Sequence, residues 1–252
     1  YQSEEKIDIK INSSVARING SLGTEFTSEE IKIHIITLNT EGSLIDDELL
    51  SNEGIYGVTE IDRVIRIREP GTFILQGDYL GQVKVKLNDE HEEVTLILNG
   101  INITYPDGPG ILITKANEID ETEYSRENRI TTEKAMNLDF THAGIKIIIA
   151  DDTQNFVLAG HTEKFDGAFY SKVSMVIDGG EKGNGELTII GDEEGLDSDM
   201  HLQINGGNIN VAANDDAINA SEDYGSVVII NGGKIIVNGG QHAGGWEGDG
   251  ID

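Results

Sequence analysis

Acidic and amide residues recur at matching positions of a short phrase that is repeated near the end of the 252-residue chain. The phrase occurs three times, as EGLDS at 194–198, DAINA at 216–220 and DGID at 249–252. If successive repeats stack in register, their carboxylate and amide side chains form a column of oxygen atoms. The members of this predicted column are Glu194, Asp197, Asp215, Asp216, Asn219, Asp249 and Asp252.

Stacked carboxylates repel one another, and this repulsion predicts a bound cation. At about 5 Å and an effective dielectric constant of about 20, two unit charges repel by about 3 kcal/mol. Ca²⁺ suits such a column because it takes many oxygen ligands, accepts carboxylates together with amide carbonyls, and tolerates irregular geometry. Zn²⁺ is a poorer match, since the chain has no Cys and its six His are dispersed. A second explanation stays open, because Asp and Asn also favour tight corners, where they accept backbone N–H bonds without a metal.

The elements that must position this column are strand–turn–strand phrases that pivot on Asn-Gly-Gly. They read LQINGGNINV at 202–211 and VIINGGKIIV at 228–237, with relatives VTLILNGINIT at 94–104 and VSMVIDGGEKGNGELTII at 173–190. Apolar and polar residues alternate in each phrase, as in a strand with one buried face, and Gly suits a tight corner. The interval predicts a solenoid, and we expect a parallel β-helix with coils about 4.8 Å apart. Leucine-rich repeats would need Leu where this chain has Ile and Val, and an antiparallel sandwich would not need the same phrase in every unit.

We predict one all-β domain in two parts. Residues 1–81 form an N-terminal β-strand cap with the entry strands, and residues 82–252 form the stacked coils. A stretch at 117–143 interrupts the rhythm, and we interpret it as an insertion on one face, either a functional loop or a solvated loop that lengthens one corner.

The composition excludes several classes of function. The formal charge is −28, from 46 acidic and 18 basic residues, which argues against nucleic acid and anionic membrane surfaces as partners. No apolar run approaches the roughly 18 residues of a membrane span. The chain begins without Met and without a signal peptide, so we expect a mature or trimmed fragment. We also expect the natural sequence to continue past Asp252, and the protein to be a monomer.

The ordered set of phrases resembles bacterial extracellular carbohydrate-binding proteins with a polysaccharide-lyase-like, right-handed parallel β-helix fold. The resemblance is carried by VIRIREPGTFILQGDYLGQVKVKL (64–87), VTLILNGINITYPDGPGILITKA (94–116), GAFYSKVSMVIDGG (167–180), GLDS with INGGNINV, AINA with INGGKIIV, and the final DGID. It implies calcium on the helix, as in pectate lyases, an extracellular or cell-surface location, and cellulose or acidic sugars such as polygalacturonate as ligands. The insertion at 117–143 is longer than the resemblance leads us to expect.

Three classes of function follow, and we favour a non-catalytic binder of plant-cell-wall polysaccharide. A calcium-dependent, pectate-type lyase needs a strong base, commonly Arg, whereas residues 165–252 contain three Lys and no Arg. A structural stalk or adhesin module is the third class. For a neutral glucan we expect aromatic rings to cover the sugar, and the candidates are Trp246, Tyr224 and Tyr170.

Overall fold

The computed structural model describes residues 33–38, 58–61, 63–240 and 248–252. Regular structure in these ranges is almost entirely β-strand, which confirms the predicted all-β class. The strands are, in chain order, β1 (Ile33–Leu38), β2 (Val58–Ile61), β3 (Val64–Ile67), β4 (Gly71–Tyr79), β5 (Gln82–Lys86), β6 (Val94–Tyr105), β7 (Ile111–Lys115), β8 (Ile145–Ile149), β9 (Gln154–Ala159), β10 (Gly167–Ser171), β11 (Met175–Gly179), β12 (Glu186–Gly191), β13 (Glu194–Ser198), β14 (Leu202–Ile204), β15 (Asn208–Ala212), β16 (Ile218–Ala220), β17 (Val228–Ile230) and β18 (Lys234–Asn238). A short helix, α1 (Thr132–Met136), and a 3₁₀ turn at Phe140–His142 complete the described elements. Among these residues no helix is long and apolar enough to cross a bilayer.

The strands form two sheets. The seven-stranded sheet has the order β16-β13-β10-β7-β5-β3-β2. The eleven-stranded sheet has two arms that meet at β6: the first arm is β17-β14-β11-β8-β6, and the second is β6-β9-β12-β15-β18. Its two remaining strands are β4, which also pairs with β6, and β1, which pairs with β4. Of the described strand pairs, β2 with β3 is antiparallel and all others are parallel. A chain of stacked repeats requires parallel neighbours, because every repeat runs in the same direction.

From β7 onward, each repeat contributes one strand to the seven-stranded sheet and then one to each arm, as β13, β14 and β15 do. In the repeat before, the single long strand β6 pairs with both β8 and β9. Equivalent residues of successive repeats are direct neighbours, so Phe169 pairs with Leu196, and Leu196 pairs with Ile218. These three side chains are fully buried in one continuous core of Ile, Val and Leu. The alternating pattern in the sequence therefore places one apolar face of every strand inside the stack.

The Asn-Gly-Gly phrases are the corners between the two arms. Gly207 and Gly233 both have a φ of +93°, which L side chains rarely adopt. A Cβ on Gly233 would lie 2.7 Å from the carbonyl oxygen of Gly207, so the corners also stack too closely for a side chain. The Asn205 Oδ1 accepts hydrogen bonds from Gln203 (2.8 Å) and from Asn231 of the next repeat (2.9 Å). The phrase is thus repeated because its corners stack on one another, and a hydrogen bond between the side-chain amides of Asn205 and Asn231 joins two of them.

The segment at 117–143, between β7 and β8, is fastened to the stack. The Glu118 carboxylate accepts bonds from the Ser174 N–H and hydroxyl, both at 2.6 Å. Asp120, which is 5 % exposed, accepts bonds from Lys134 at 2.8 Å and Tyr124 at 2.5 Å. It also lies 3.3 Å from Nε2 of the fully buried His201.

A third attachment of the insertion lies further along the chain. The Ile130 N–H donates to the Tyr224 carbonyl at 2.8 Å, and the Arg129 guanidinium lies 4.7 Å from the centre of the Tyr224 ring. Ser174, His201 and Tyr224 each stand before the first-arm strand of three successive repeats. The insertion is therefore attached at three successive repeats, while most of its residues from 121 to 139 are exposed.

The predicted cap over residues 1–81 falls largely outside the described residues, which leave out 1–32, 39–57 and 62. In the described part, β1 runs parallel to β4 and β2 runs antiparallel to β3. β3 and β4 pair with β5 and β6 in the same way as later repeats pair, and β1 extends the parallel stacking one strand further beside β4.

Candidate cation site on the seven-stranded sheet

Three carboxyl groups converge on the outer face of the seven-stranded sheet. Leu196 of β13 points into the core, so its neighbour Asp197 points to the opposite face. One oxygen each of Asp166, Glu194 and Asp197 lie within 4.8 Å of one another. Asp166 stands just before β10, and Glu194 begins β13, so adjacent strands bring the three groups together.

Asp197 is the most unusual member, because it is completely buried and neither carboxylate oxygen has a hydrogen-bond partner. The Glu194 Oε1 accepts a bond from the Asn219 amide at 2.9 Å, but its buried Oε2 also has no partner. Buried polar groups are nearly always hydrogen-bonded in folded proteins. Two of the three unpartnered oxygens belong to Asp197 and the third to Glu194, so either a proton shared between these two carboxyl groups or a bound cation would satisfy them.

The raised pKa values of Asp197 and Glu194 also favour a bound cation. Burial, followed by the charges of Glu194 and Asp166, raises the pKa of Asp197 far above its usual range. Burial and the charge of Asp166 also raise the pKa of Glu194. Without a counter-ion, this pair must take up protons or stay destabilised. A bound cation would remove this penalty.

The residues present fit a hard divalent cation. Ca²⁺ prefers carboxylate, carbonyl and water oxygens and tolerates irregular geometry, which suits three carboxylates on neighbouring strands. Asp166, Glu194 and Asp197 are the groups that would hold it, with Asn219 positioning Glu194. A nearby acidic residue, Asp199, serves a different purpose, since it already binds the Tyr170 hydroxyl and the Lys172 ammonium.

The strand register places the predicted column as the repeats suggested. Asp197 pairs with Asn219, and the bridge between Ile218 and Ile251 sets Asp252 beside Asn219. Of the predicted ligands, the convergent group includes only Glu194 and Asp197. Asp216 accepts a bond from the Asp249 N–H at 2.6 Å, which is the corner role left open by the sequence. The metal roles of Asp215, Asp216, Asn219, Asp249 and Asp252 stay predictions.

Sequence reasoning missed Asp166. Its signal was present in DGAFYS at 166–171, a weaker copy of the repeated acidic phrase. Asp166 stands one position before the residue that pairs with Glu194, namely Gly167. A Cβ on Gly167 would lie 2.7 Å from the Asp197 Cβ, so this glycine makes room for the buried carboxylate.

The aromatic candidates have different surroundings. Tyr170 is only 4 % exposed, donates its hydroxyl to Asp199, and packs edge-on against Phe165 at 5.1 Å, which leaves no free ring face for a sugar. Tyr224 is 41 % exposed, but Arg129 covers one face of its ring. Trp246 lies outside the described residues.

A cleft of about 520 Å³ lies between the insertion and the outer face of the first arm. Its polar groups are largely bonded to one another: Lys146 pairs with Asp178 at 3.0 Å, and Gln203 donates to Asn205 at 2.8 Å. The orphaned oxygens therefore make the seven-stranded sheet, rather than this cleft, the stronger candidate site.

Fold and site together define a domain of stacked parallel strands with a carboxylate cluster on one outer face. A family model described as "Carbohydrate-binding domain-containing protein" matches residues 61–252, and the chain belongs to this family. A protein of the same description from Acetivibrio thermocellus is 27% identical over 173 residues, which are 68% of this chain and 52% of the relative. The chain thus spans about half the length of the curated relative that it matches.

A solved structure supports the fold. The chain is similar to the polysaccharide lyase-like protein from C. thermocellum, determined as a gadolinium derivative, with a TM-score of 0.53, 20% identity and 80% of each chain covered. At this identity the likeness concerns the fold alone, and it agrees with the parallel sheets described above.

Proposed function

We propose that this domain is a secreted, calcium-dependent binder of acidic plant-cell-wall polysaccharide, with its strands wound as a right-handed parallel β-helix. The observation that carries the proposal is the buried, unpartnered carboxylate of Asp197 beside Glu194 and Asp166. Membership of a carbohydrate-binding family supplies the ligand class.

Calcium explains how so acidic a chain holds an acidic sugar. At a formal charge of −28, direct contact between carboxylates of the protein and of a uronate is repulsive. A Ca²⁺ ion held by Asp166, Glu194 and Asp197 can coordinate a uronate carboxylate with its remaining positions, because it accepts more oxygens than three residues supply. The cation then joins two surfaces that repel each other without it.

The described residues favour polygalacturonate over cellulose. A neutral glucan binds through aromatic ring faces, whereas Tyr170 is buried and Tyr224 is partly covered by Arg129. Cellulose remains the second ligand to test, since Trp246 lies outside the described part.

The test is isothermal titration of chelator-treated protein with Ca²⁺, followed by retention on polygalacturonate and on cellulose with and without chelator. We expect heat on Ca²⁺ addition and polygalacturonate retention that chelator weakens. An absence of heat removes the metal. If neither glycan is retained, the domain is a structural module instead. A steady rise in absorbance from unsaturated uronate, with pectate and Ca²⁺ present, identifies a lyase.

A further inference from the structure

The outer face that carries Asp197 continues into a basic region. Going back along the seven-stranded sheet, Asp197 pairs with Tyr170, and Tyr170 with Leu112. Leu112 pairs with Lys84, and Lys84 with Arg66. Lys84 therefore lies three strand spacings from Asp197, or about 14 Å. The carboxylates and the cations therefore lie toward opposite ends of one sheet face, with the buried Tyr170 and Leu112 between them.

The basic region consists of Arg66, Lys84, Lys86 and Lys164. Along β5, Val83 and Val85 are completely buried, so Lys84 and Lys86 both point outward. Arg66 is the direct strand neighbour of Lys84. Lys164, from the loop before β10, is exposed and lies close enough to repel the Lys84 ammonium.

The like charges of this region repel one another, and a bound anion would relieve the repulsion. Like charges directly opposite on neighbouring strands destabilise a sheet. Burial and repulsion from Lys86, Arg66 and Lys164 lower the pKa of Lys84. Acidic residues outnumber basic ones by 46 to 18, yet Lys84 and Lys86 form no ion pair within the described ranges. The three lysines Lys84, Lys86 and Lys164, clustered on one small surface of so acidic a protein, favour a place for negative charge.

We propose that Lys84, Lys86, Lys164 and Arg66 form a calcium-independent subsite for carboxylate groups of an acidic polysaccharide. The path of the glycan over the sheet rests on the proposed function. The polymer would run across the strands, from this subsite to the cation held at Asp197. Ammonium and guanidinium groups bind carboxylates through charge-assisted hydrogen bonds. Two subsites of different chemistry on one face would favour a polymer over a single uronate, because the second contact is intramolecular.

The test compares Lys84→Glu/Lys86→Glu with Lys182→Glu/Lys234→Glu. Both double variants change the formal charge equally, and neither Lys182 nor Lys234 lies on the seven-stranded sheet. Affinity for polygalacturonate is measured by affinity electrophoresis in chelator and again with Ca²⁺. In chelator we expect the first variant to bind at least about tenfold more weakly than wild type, and the control to bind within about twofold. Raising the salt concentration should weaken wild-type binding and leave the residual binding of the first variant almost unchanged.

Equal losses in the two variants would overturn the subsite. The variant Lys84→Gln/Lys86→Gln separates lost binding from lost stability. It removes the repulsion between the lysines, so it should raise the melting temperature while still weakening binding. Failure of the calcium proposal looks different: titration with Ca²⁺ then gives no heat, while the first variant still loses affinity in chelator. A wild-type protein that binds no polygalacturonate under either condition refutes both.

Discussion

Replacing Asp197 with Asn should stabilise the domain when calcium is absent. The Asp197 pKa is raised so far that the folded protein takes up a proton at neutral pH. Protonating a carboxyl whose ordinary pKa is 3.8 costs about 4 kcal/mol at pH 7. Asn avoids this cost, and an imperfectly paired amide beside Glu194 costs about 1–3 kcal/mol. We therefore expect a net gain of about 2 kcal/mol in chelator, or a melting temperature about 4–8 °C higher.

The same substitution should remove the response to calcium. At a hundredfold excess over its dissociation constant, Ca²⁺ stabilises the wild type by about 2.7 kcal/mol. Thermal unfolding with chelator and with Ca²⁺ measures both effects. Asp199→Asn is the matched control: it lies two residues away but loses bonds from Tyr170 and Lys172, so it should be less stable in both buffers. The reasoning is refuted if Asp197→Asn is destabilised in chelator and still responds to Ca²⁺ like wild type.

Three further expectations concern the same face and the insertion. Because the folded state binds more protons than the unfolded state at Asp197 and Glu194, chelated protein should lose stability as the pH rises from about 5 to 8, by up to about 1.4 kcal/mol per pH unit for each proton; a flat profile contradicts this. Asp120→Asn should cost about 2–3 kcal/mol and open residues 121–137 to proteases, since it weakens the bonds to Lys134 and His201; unchanged protease resistance would show that this network does not hold the insertion. Gly167→Ala should weaken Ca²⁺ affinity about tenfold, because its Cβ overlaps that of Asp197, and an unaltered titration would count against the site.

The repeated phrases were enough to predict the all-β class and the vertical register. The pairing of Asp197 with Asn219 follows from aligning EGLDS with DAINA, because strands of period two fix which residues meet. Ile and Val in alternation likewise predicted the buried face. Handedness, and the role of most acidic corners, do not follow from such alignment.

The convergence of side chains was much harder to predict. Asp166 joins the cluster from the residue before β10, so its position depends on the turn conformation as well as on strand register. Tyr170 looked available from its sequence, but Asp199 binds its hydroxyl and Phe165 covers its ring. The basic region combines Arg66 and Lys84 with Asp197 on one face although more than a hundred residues separate them in the chain. Only the order of strands in the sheet reveals that arrangement.

The insertion has a mechanical consequence. In a solenoid each repeat touches only its neighbours, so repeats can separate one at a time. The insertion forms hydrogen bonds to three successive repeats. The pairs are Glu118 with Ser174, Asp120 with His201, and Ile130 with Tyr224. The insertion thus cross-links three successive repeats. Pulling one of them away strains its bonds to the insertion and, through it, the other two, so we expect the three repeats to unfold together under force.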